Sequence, residues 1–236
     1  MPPRCYASRG VSASGGVGVR KRTHQKRGAR RKTEVLAAFS DYLLKTGMLD
    51  LSLRPAAAAL RTSPRMLVYY FGSKERLLLA AIEEVRARER ARFARDIQRR
   101  RFGGSVAGDV WVMWRWFSGK SREPYLRLFY ELYARAASRP RDFKHLLDLA
   151  SEGYLSLMTE GLVSWGFPRS EARAHATLYL AAFRGLLLDL LTTGERRRVD
   201  AAVRVLAANL EAELVKRSPA LGRAHPLPPS LRSSLT

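Results

Sequence analysis

The sequence predicts an all-α protein, and three observations lead to this fold class. Leu and Ala, which favour helices, far outnumber the β-branched residues that strands favour. Apolar residues recur at helical spacing along most of the chain. Of the 236 residues, 46% are hydrophobic, which is enough to bury a sizeable core. These observations exclude a β-sandwich, a β-barrel and a globally disordered chain.

Capping residues mark an end of the first helix and the start of a later long helix. The first runs from about Arg30 to Thr46 and stops at Gly47, which serves as a C-cap. Its apolar stripe consists of Val35, Leu36, Phe39, Tyr42 and Leu43. Ser73 caps a long helix that continues to a pair of glycines at 103 and 104. These signals place one helix on each side of residues 48–72.

Two short helices lie between these longer ones. Ser52 is a candidate N-cap for the first, which covers Ala56–Leu60. Ser63 followed by Pro64 is a strong start for the second, because proline is favoured at the first helical position. The second helix ends near Phe71. The sequence therefore predicts a pair of short helices joined by a tight turn.

This helix pair has an inner and an outer side. The residues suited to a small core are Ala57, Leu60, Leu67 and Phe71, together with Leu36 and Phe39. The residues left on the open face of the second helix are Pro64, Arg65, Met66, Tyr69 and Tyr70. A helix of this size fits the major groove of DNA, which is about 12 Å wide. Spacing alone leaves a DNA-reading pair and a purely structural pair equally open.

The segment Leu53–Leu77 also carries a specific run of residues, namely Ser63, Leu67, Tyr70, Phe71, Ser73, Lys74, Glu75 and Leu77. With this run, the segment resembles the helix-turn-helix of the TetR family of bacterial transcriptional regulators. The resemblance implies an N-terminal three-helix DNA-binding domain. It also implies a fourth helix that leads into a larger α-helical domain, which binds a small ligand and dimerises.

The resemblance implies a set of DNA-binding residues: Ser52, Arg54, Ser63, Pro64, Arg65, Met66, Tyr69, Tyr70 and Lys74. Arg65 can contact guanine with two hydrogen bonds, whereas Arg54 and Lys74 would position the domain on phosphates. The chain departs from the family pattern at two places. Val68 stands where the family usually has a phosphate-contacting tyrosine, and the turn has Arg61 and no glycine.

Charge and composition divide the chain. The net charge is +22, and residues 1–33 hold ten basic and no acidic residues, so we expect an acidic partner. We predict a disordered basic tail over 1–27, a DNA-binding domain over 28–85, a ligand-binding and dimerisation domain over 86–217, and a disordered tail over 218–236. The basic tail is suited to contacts with phosphates or the minor groove, or is simply solvated.

The larger domain contributes two sets of candidates. Apolar and aromatic residues that could line a ligand pocket are Trp111, Trp114, Phe129, Tyr133, Tyr154, Met158 and Phe183. Residues suited to a dimer interface, where small side chains allow close helix approach, are Leu178, Ala182, Gly185, Leu188, Val203, Leu206 and Leu210. Either set could instead belong to the core of a single chain.

The functional prediction is a ligand-responsive transcriptional regulator, a repressor that binds an inverted-repeat operator on double-stranded DNA as a homodimer and is released by a small molecule. A nonspecific nucleic-acid-binding protein is the alternative, and an all-α enzyme is less favoured. The single cysteine, Cys5, and four scattered histidines suggest no metal site, no cofactor and no catalytic pair. We expect a cytoplasmic protein outside the membrane, because the apolar stretch Leu178–Leu191 is shorter than the roughly twenty residues of a membrane span.

Overall fold

A computed structural model describes residues 16–49, 51–98, 105–138, 152–163 and 166–217. The helices in these ranges are α1 Gly16–Thr46, α2 Leu53–Ala59, α3 Pro64–Phe71, α4 Lys74–Gln98, α5 Val106–Phe117, α6 Glu123–Ser138, α7 within 152–163, α8 Arg169–Thr193 and α9 Arg196–Arg217. A short 3-10 turn, Lys120–Arg122, precedes α6. The described residues contain no strand, and the predicted all-α fold is confirmed.

The first four helices enclose an apolar core around the short helix pair. Phe39, Ala57 and Leu67 are almost fully buried there, and Phe71 is buried at its edge. Leu36 and Leu60 are half-buried against the same cluster, so all the residues predicted for this small core do contribute to it. Two leucines of α6, at 128 and 132, complete the core. The N-terminal unit is therefore closed by a helix from the C-terminal part of the chain.

Local hydrogen bonds set the ends of these helices. Gly47 has a φ of +74°, and its N–H donates to the Leu43 carbonyl at 2.9 Å. The Ser63 hydroxyl accepts from the backbone N–H of Met66 at 3.2 Å, and the Ser73 hydroxyl accepts equivalently at the start of α4. Ser52 occupies the N-cap position of α2 but makes no side-chain capping bond. The predicted ends at Thr46 and near Phe71 and the predicted caps at Ser63 and Ser73 are confirmed, whereas α2 begins and ends earlier than the predicted Ala56–Leu60.

Helix α1 begins earlier than predicted. We expected a disordered tail through residue 27 and a helix from about Arg30, whereas the helix starts at Gly16. Arginine, lysine and glutamine are good helix formers, and the packed second half of α1 provides the nucleus that the first half extends. The remainder of that tail, the tail predicted over 218–236 and the glycines at 103 and 104 lie outside the described residues.

Helices α5, α8 and α9 form the centre of the second unit. The indole N–H of Trp114 donates to the Asp200 carboxylate at 2.6 Å, which ties α5 to α9. Near it, Val199 and Val203 are fully buried. At the junction with α4, buried Arg122 is paired with Glu89, and its guanidinium carbon lies 3.7 Å from the ring centroid of the Trp116 side chain. Helices α4 and α6 therefore connect the two units.

Candidate nucleic-acid interface and ligand cavity

The turn between α2 and α3 is a Schellman motif with arginine at its left-handed position. The N–H of Thr62 donates to the Ala57 carbonyl at 2.9 Å, and the N–H of Arg61 donates to the Ala58 carbonyl at 3.1 Å. Arg61 has a φ of +51°, in the region where glycine is normally found. The missing glycine does not change the turn, and the side chain of Arg61 is exposed.

Helix α3 presents different residues to the core and to solvent. Leu67 is completely buried on the inner side, which fixes the rotation of the helix. On the outer side Arg65 is exposed and Tyr69 is 76% exposed, with Met66 and Val68 adding apolar surface beside them. An exposed group of large apolar side chains next to a cation is typical of a binding surface. The outer side of α3 is therefore a candidate interface.

The structure leaves the predicted DNA-binding residues accessible. Three helix starts carry exposed members of this set: Ser52 and Arg54 at α2, Ser63, Pro64 and Arg65 at α3, and Lys74 at α4. Further along α3, Met66 and Tyr69 are exposed and Tyr70 is half-buried. The rings of the two tyrosines meet edge to face, with centroids 5.5 Å apart. The predicted set is thus available at the surface of the three-helix unit.

Side chains of α6 form hydrogen bonds with backbone atoms in the connection between α1 and α2. The Glu131 carboxylate accepts from the N–H of Met48 at 2.5 Å. Arg135, one turn further on, donates to the carbonyls of Met48 and Leu49, the latter at 2.9 Å. A methyl group at Gly47 would lie 2.5 Å from a Glu131 oxygen. These contacts are not predictable from the sequence, because an acid and a base four residues apart on a helix usually form a solvated ion pair.

A cavity of about 210 Å³ lies among helices α5 to α9. Four of the predicted pocket residues line it: Phe129, Tyr154, Met158 and Phe183. The other predictions need correction. Trp114 is fully buried in the core, Trp111 packs under the Arg204 guanidinium, and Tyr133 lies behind the lining, in contact with Arg184. Aromatic residues on these helices face several surfaces, so their type alone did not identify the cavity.

The cavity wall is apolar except at a few points. Burial raises the pKa of the Tyr125 and Tyr154 hydroxyls above the usual value, which keeps both groups neutral. Arg184 is the cation of the lining and is half-buried. Asp109 also contributes to the lining and already has a polar or charged partner. Neither Arg184 nor Asp109 was among the residues predicted to line the pocket.

The predicted dimer residues fall into two groups. Leu178 is 62% exposed, Gly185 and Leu188 are also exposed, and Ala182 is half-buried, so these α8 residues are accessible. On α9, in contrast, Val203 and Leu210 are buried within the chain and Leu206 lines the cavity. This part of the prediction is wrong, because the apolar stripe of α9 packs against its own chain. The exposed stripe of α9 consists of Ala201, Val205, Ala208, Ala212 and Val215.

Helix α8 also has the length and hydropathy of a membrane-spanning helix. It packs against α6 and α9, and the Tyr130 hydroxyl donates to the Arg184 carbonyl at 2.6 Å. The charges of Arg184 and Asp189 lie within its apolar part.

No protein-family model and no curated protein matches this sequence. Among solved structures, a transcriptional regulator from Rhodococcus sp. Rha1 is similar with a TM-score of 0.61 and 18% identity, over 77% of this chain and 96% of that one. A protein assigned to the TetR family of transcriptional regulators, from Rhodococcus sp., is similar with a TM-score of 0.61 and 17% identity, over 77% of this chain and 99% of that one. The chain has the TetR-regulator fold. A further regulator from Rhodococcus sp. RHA1 is similar with a TM-score of 0.60 and 21% identity, over 79% of this chain and 100% of that one.

Proposed function

We propose that the protein is a cytoplasmic, ligand-responsive transcriptional repressor, which binds an inverted-repeat operator on double-stranded DNA as a homodimer and is released by a small molecule. The observation that carries this proposal is the outer side of α3. A short helix capped by Ser63 and anchored by buried Leu67 directs Arg65 and Tyr69 to solvent. The similarity in fold to transcriptional regulators supports it.

Arg65 is the residue best suited to read sequence. It is exposed in the first turn of α3, and its planar guanidinium can donate two hydrogen bonds to guanine O6 and N7. Lys74 is a point charge at the start of α4 and would contact phosphate. The net charge of +22 favours binding to DNA in general. In this proposal Arg65 provides sequence preference, and Lys74 provides affinity.

The exposed apolar surface of α8 and α9 supports the homodimer. Leu178 and Val205 are each 62% exposed, although they belong to helices that pack against each other. Small residues, Gly185 on α8 and Ala208 on α9, lie on the same exposed stripes and allow close approach of another helix. A second copy of the chain would cover both stripes in a four-helix interface. Two copies of α3 would then face two half-sites, about 34–36 Å apart or somewhat further.

Two helices offer routes from the cavity to the DNA-binding unit. Helix α4 leaves that unit and reaches the second one, where Phe93 contacts Trp116 and Tyr154. Helix α6 places Phe129 in the cavity wall and Glu131 on the connection between α1 and α2. A ligand that prefers one position of these helices would shift the spacing of the two copies of α3. DNA affinity would then fall, because only one spacing fits both half-sites.

Selection of binding sites from random duplex DNA, at near-physiological salt, tests the proposal. We expect an enriched inverted repeat with the full-length chain. Arg65→Ala should relax preference by about 1–3 kcal/mol at one base pair. Lys74→Ala should weaken all sequences alike and flatten the salt dependence by roughly one unit. Arg115→Ala, at an exposed arginine of α5, is the matched control and should change neither.

Two outcomes would contradict this assignment. Binding without an enriched sequence would favour a nonspecific nucleic-acid-binding protein, whose contacts come from the basic first half of α1. Full base discrimination by the Arg65→Ala variant would refute the role of that residue while leaving the regulator itself in place.

A further inference from the structure

The cavity lining includes an arginine, Arg184, whose guanidinium has few partners among the described protein groups. The Arg184 guanidinium donates one hydrogen bond, from Nη1 to the Tyr133 hydroxyl at 2.6 Å. Its carbon lies 5.7 Å from the ring centroid of Phe129 and 5.6 Å from that of Tyr133. Across the described ranges, no carboxylate lies within ion-pair distance of it. An arginine has five N–H donors, so most of those of Arg184 are left for another partner.

Two other buried or half-buried arginines of the same unit have acidic partners. Arg122 is paired with Glu89 and Asp96, and Arg196 lies 3.8 Å from Asp200. Arg184 differs from them because it belongs to the cavity lining and its guanidinium lies over aromatic rings. A neutral ligand would displace water from its remaining N–H groups without replacing those hydrogen bonds, which is costly.

From this arrangement we infer that the cavity binds an amphiphilic carboxylic acid. The apolar body of the ligand fills the cavity, and its carboxylate pairs with Arg184. This inference rests on the proposed function, because it names the class of the small-molecule effector. A carboxylate matches the planar guanidinium with two parallel hydrogen bonds. A single cation balances one negative charge, so a monoanion fits better than a phosphate dianion.

The size and polarity of the cavity fit the apolar body of such a ligand. Its volume of about 210 Å³ is many times the roughly 10–15 Å³ that one water needs. Apart from Arg184 and Asp109 the wall is built of apolar side chains, tyrosines and one glycine. Asp109 lies in the first turn of α5, whereas Arg184 lies on α8 over the ring of Phe129, so the two charges are carried by different helices. A ligand of medium length therefore directs its anionic end to Arg184.

Calorimetric titration of the full chain with matched ligand pairs tests this inference. Decanoate is compared with the corresponding primary alcohol and amine, and naphthoate is compared with naphthol, which separates aliphatic from aromatic carboxylates. We expect at least one carboxylate to bind roughly tenfold or more tightly than its neutral partner, because a charge-assisted hydrogen bond replaces a neutral one. The amine should bind most weakly, since it meets the same sign of charge.

Substitutions at Arg184 decide whether that residue is the cause. Arg184→Leu should abolish the preference for the carboxylate and leave binding of the alcohol, and Arg184→Lys should retain part of it. Arg173→Leu, on the exposed side of the same helix, is the matched control and should keep the full preference. Circular dichroism checks that each variant folds, and the lysine variant keeps the test decisive if the leucine variant does not.

Equal binding of acid and alcohol to the parent chain, no binding of either acid, or a preference that survives Arg184→Leu would overturn the inference. DNA binding is measured on the same preparations. Carboxylate preference without any DNA binding would refute the regulator but support the cavity assignment. An enriched operator without carboxylate preference would support the regulator and refute the ligand class.

Discussion

At the scale of single residues, the turn before α3 holds a conformation that its sequence does not favour. Arg61 occupies the left-handed position of a Schellman motif, where a residue with a β-carbon costs about 1–2 kcal/mol relative to ordinary helical geometry. The hydrogen bonds from Arg61 and Thr62 keep the turn closed. Because the side chain of Arg61 is exposed, its positive charge is available beside the candidate DNA surface.

Replacing Arg61 by glycine should therefore stabilise the protein. We expect the free energy of unfolding to rise by about 0.5–1 kcal/mol, because relief of the left-handed strain exceeds the extra chain entropy of glycine. Denaturation in urea measures the change. Arg61→Ala is the control: it removes the same charge but keeps a β-carbon, so it should give no gain. Equal stability of the glycine and alanine variants would show that the turn is unstrained.

Residue-level signals predicted the short N-terminal helices well and the cavity lining less well. Ser63 and Ser73 cap the helices that the sequence assigned to them, because capping depends on neighbours only three residues away. Arg184 was visible as a charge inside an apolar run. Its position against Phe129 depends on packing between α6 and α8, which no local pattern encodes.

At the scale of elements, α6 belongs to both units. Leu128 and Leu132 close the core of the N-terminal unit, Phe129 lines the cavity, and Glu131 binds the backbone after α1. The sequence showed α6 as a part of the C-terminal unit alone, because the partners of Glu131 are backbone atoms more than eighty residues earlier in the chain. The element that joins the two units is thus defined by long-range contacts.

The contact of Glu131 with this connection is open to a double-mutant cycle. Glu131→Ala should lower the free energy of unfolding by about 1–3 kcal/mol, because the part-buried Met48 N–H loses its acceptor. Gly47→Ala should also destabilise, through its positive φ and its clash with the carboxylate. The two losses should sum to more than the loss in the double variant, since the clash disappears with the carboxylate. Urea denaturation gives all four values.

A control on the same helix makes this cycle specific. Arg127 is exposed and lies 3.8 Å from Glu123, so Arg127→Ala should change stability by less than about 0.5 kcal/mol. Strict additivity of the Gly47 and Glu131 substitutions would mean that the carboxylate does not constrain the connection.

At the scale of the whole molecule, the sequence predicted the helical architecture but could not decide which helix faces are shared between chains. Val203 and Leu210 lie on a regular stripe of α9, and periodicity says only that such a stripe is covered. The fold shows that α5 and α8 cover it, and leaves the opposite stripe, with Val205, at the surface. The assignment of one stripe to the core therefore moves the predicted interface to the other side of α9.

A charge on the exposed stripe of α8 or of α9 should break the proposed dimer. In a two-fold interface Val205→Glu or Leu178→Glu places two carboxylates, one from each copy, in an apolar contact, which costs several kcal/mol. We expect the parent chain to sediment as a dimer and both variants as folded monomers that bind the operator weakly. Ala91→Glu adds the same charge to an exposed site of α4 and should remain dimeric. Dimers that persist in both charged variants would place the interface elsewhere, and a monomeric parent chain would remove the geometric basis for binding an inverted repeat.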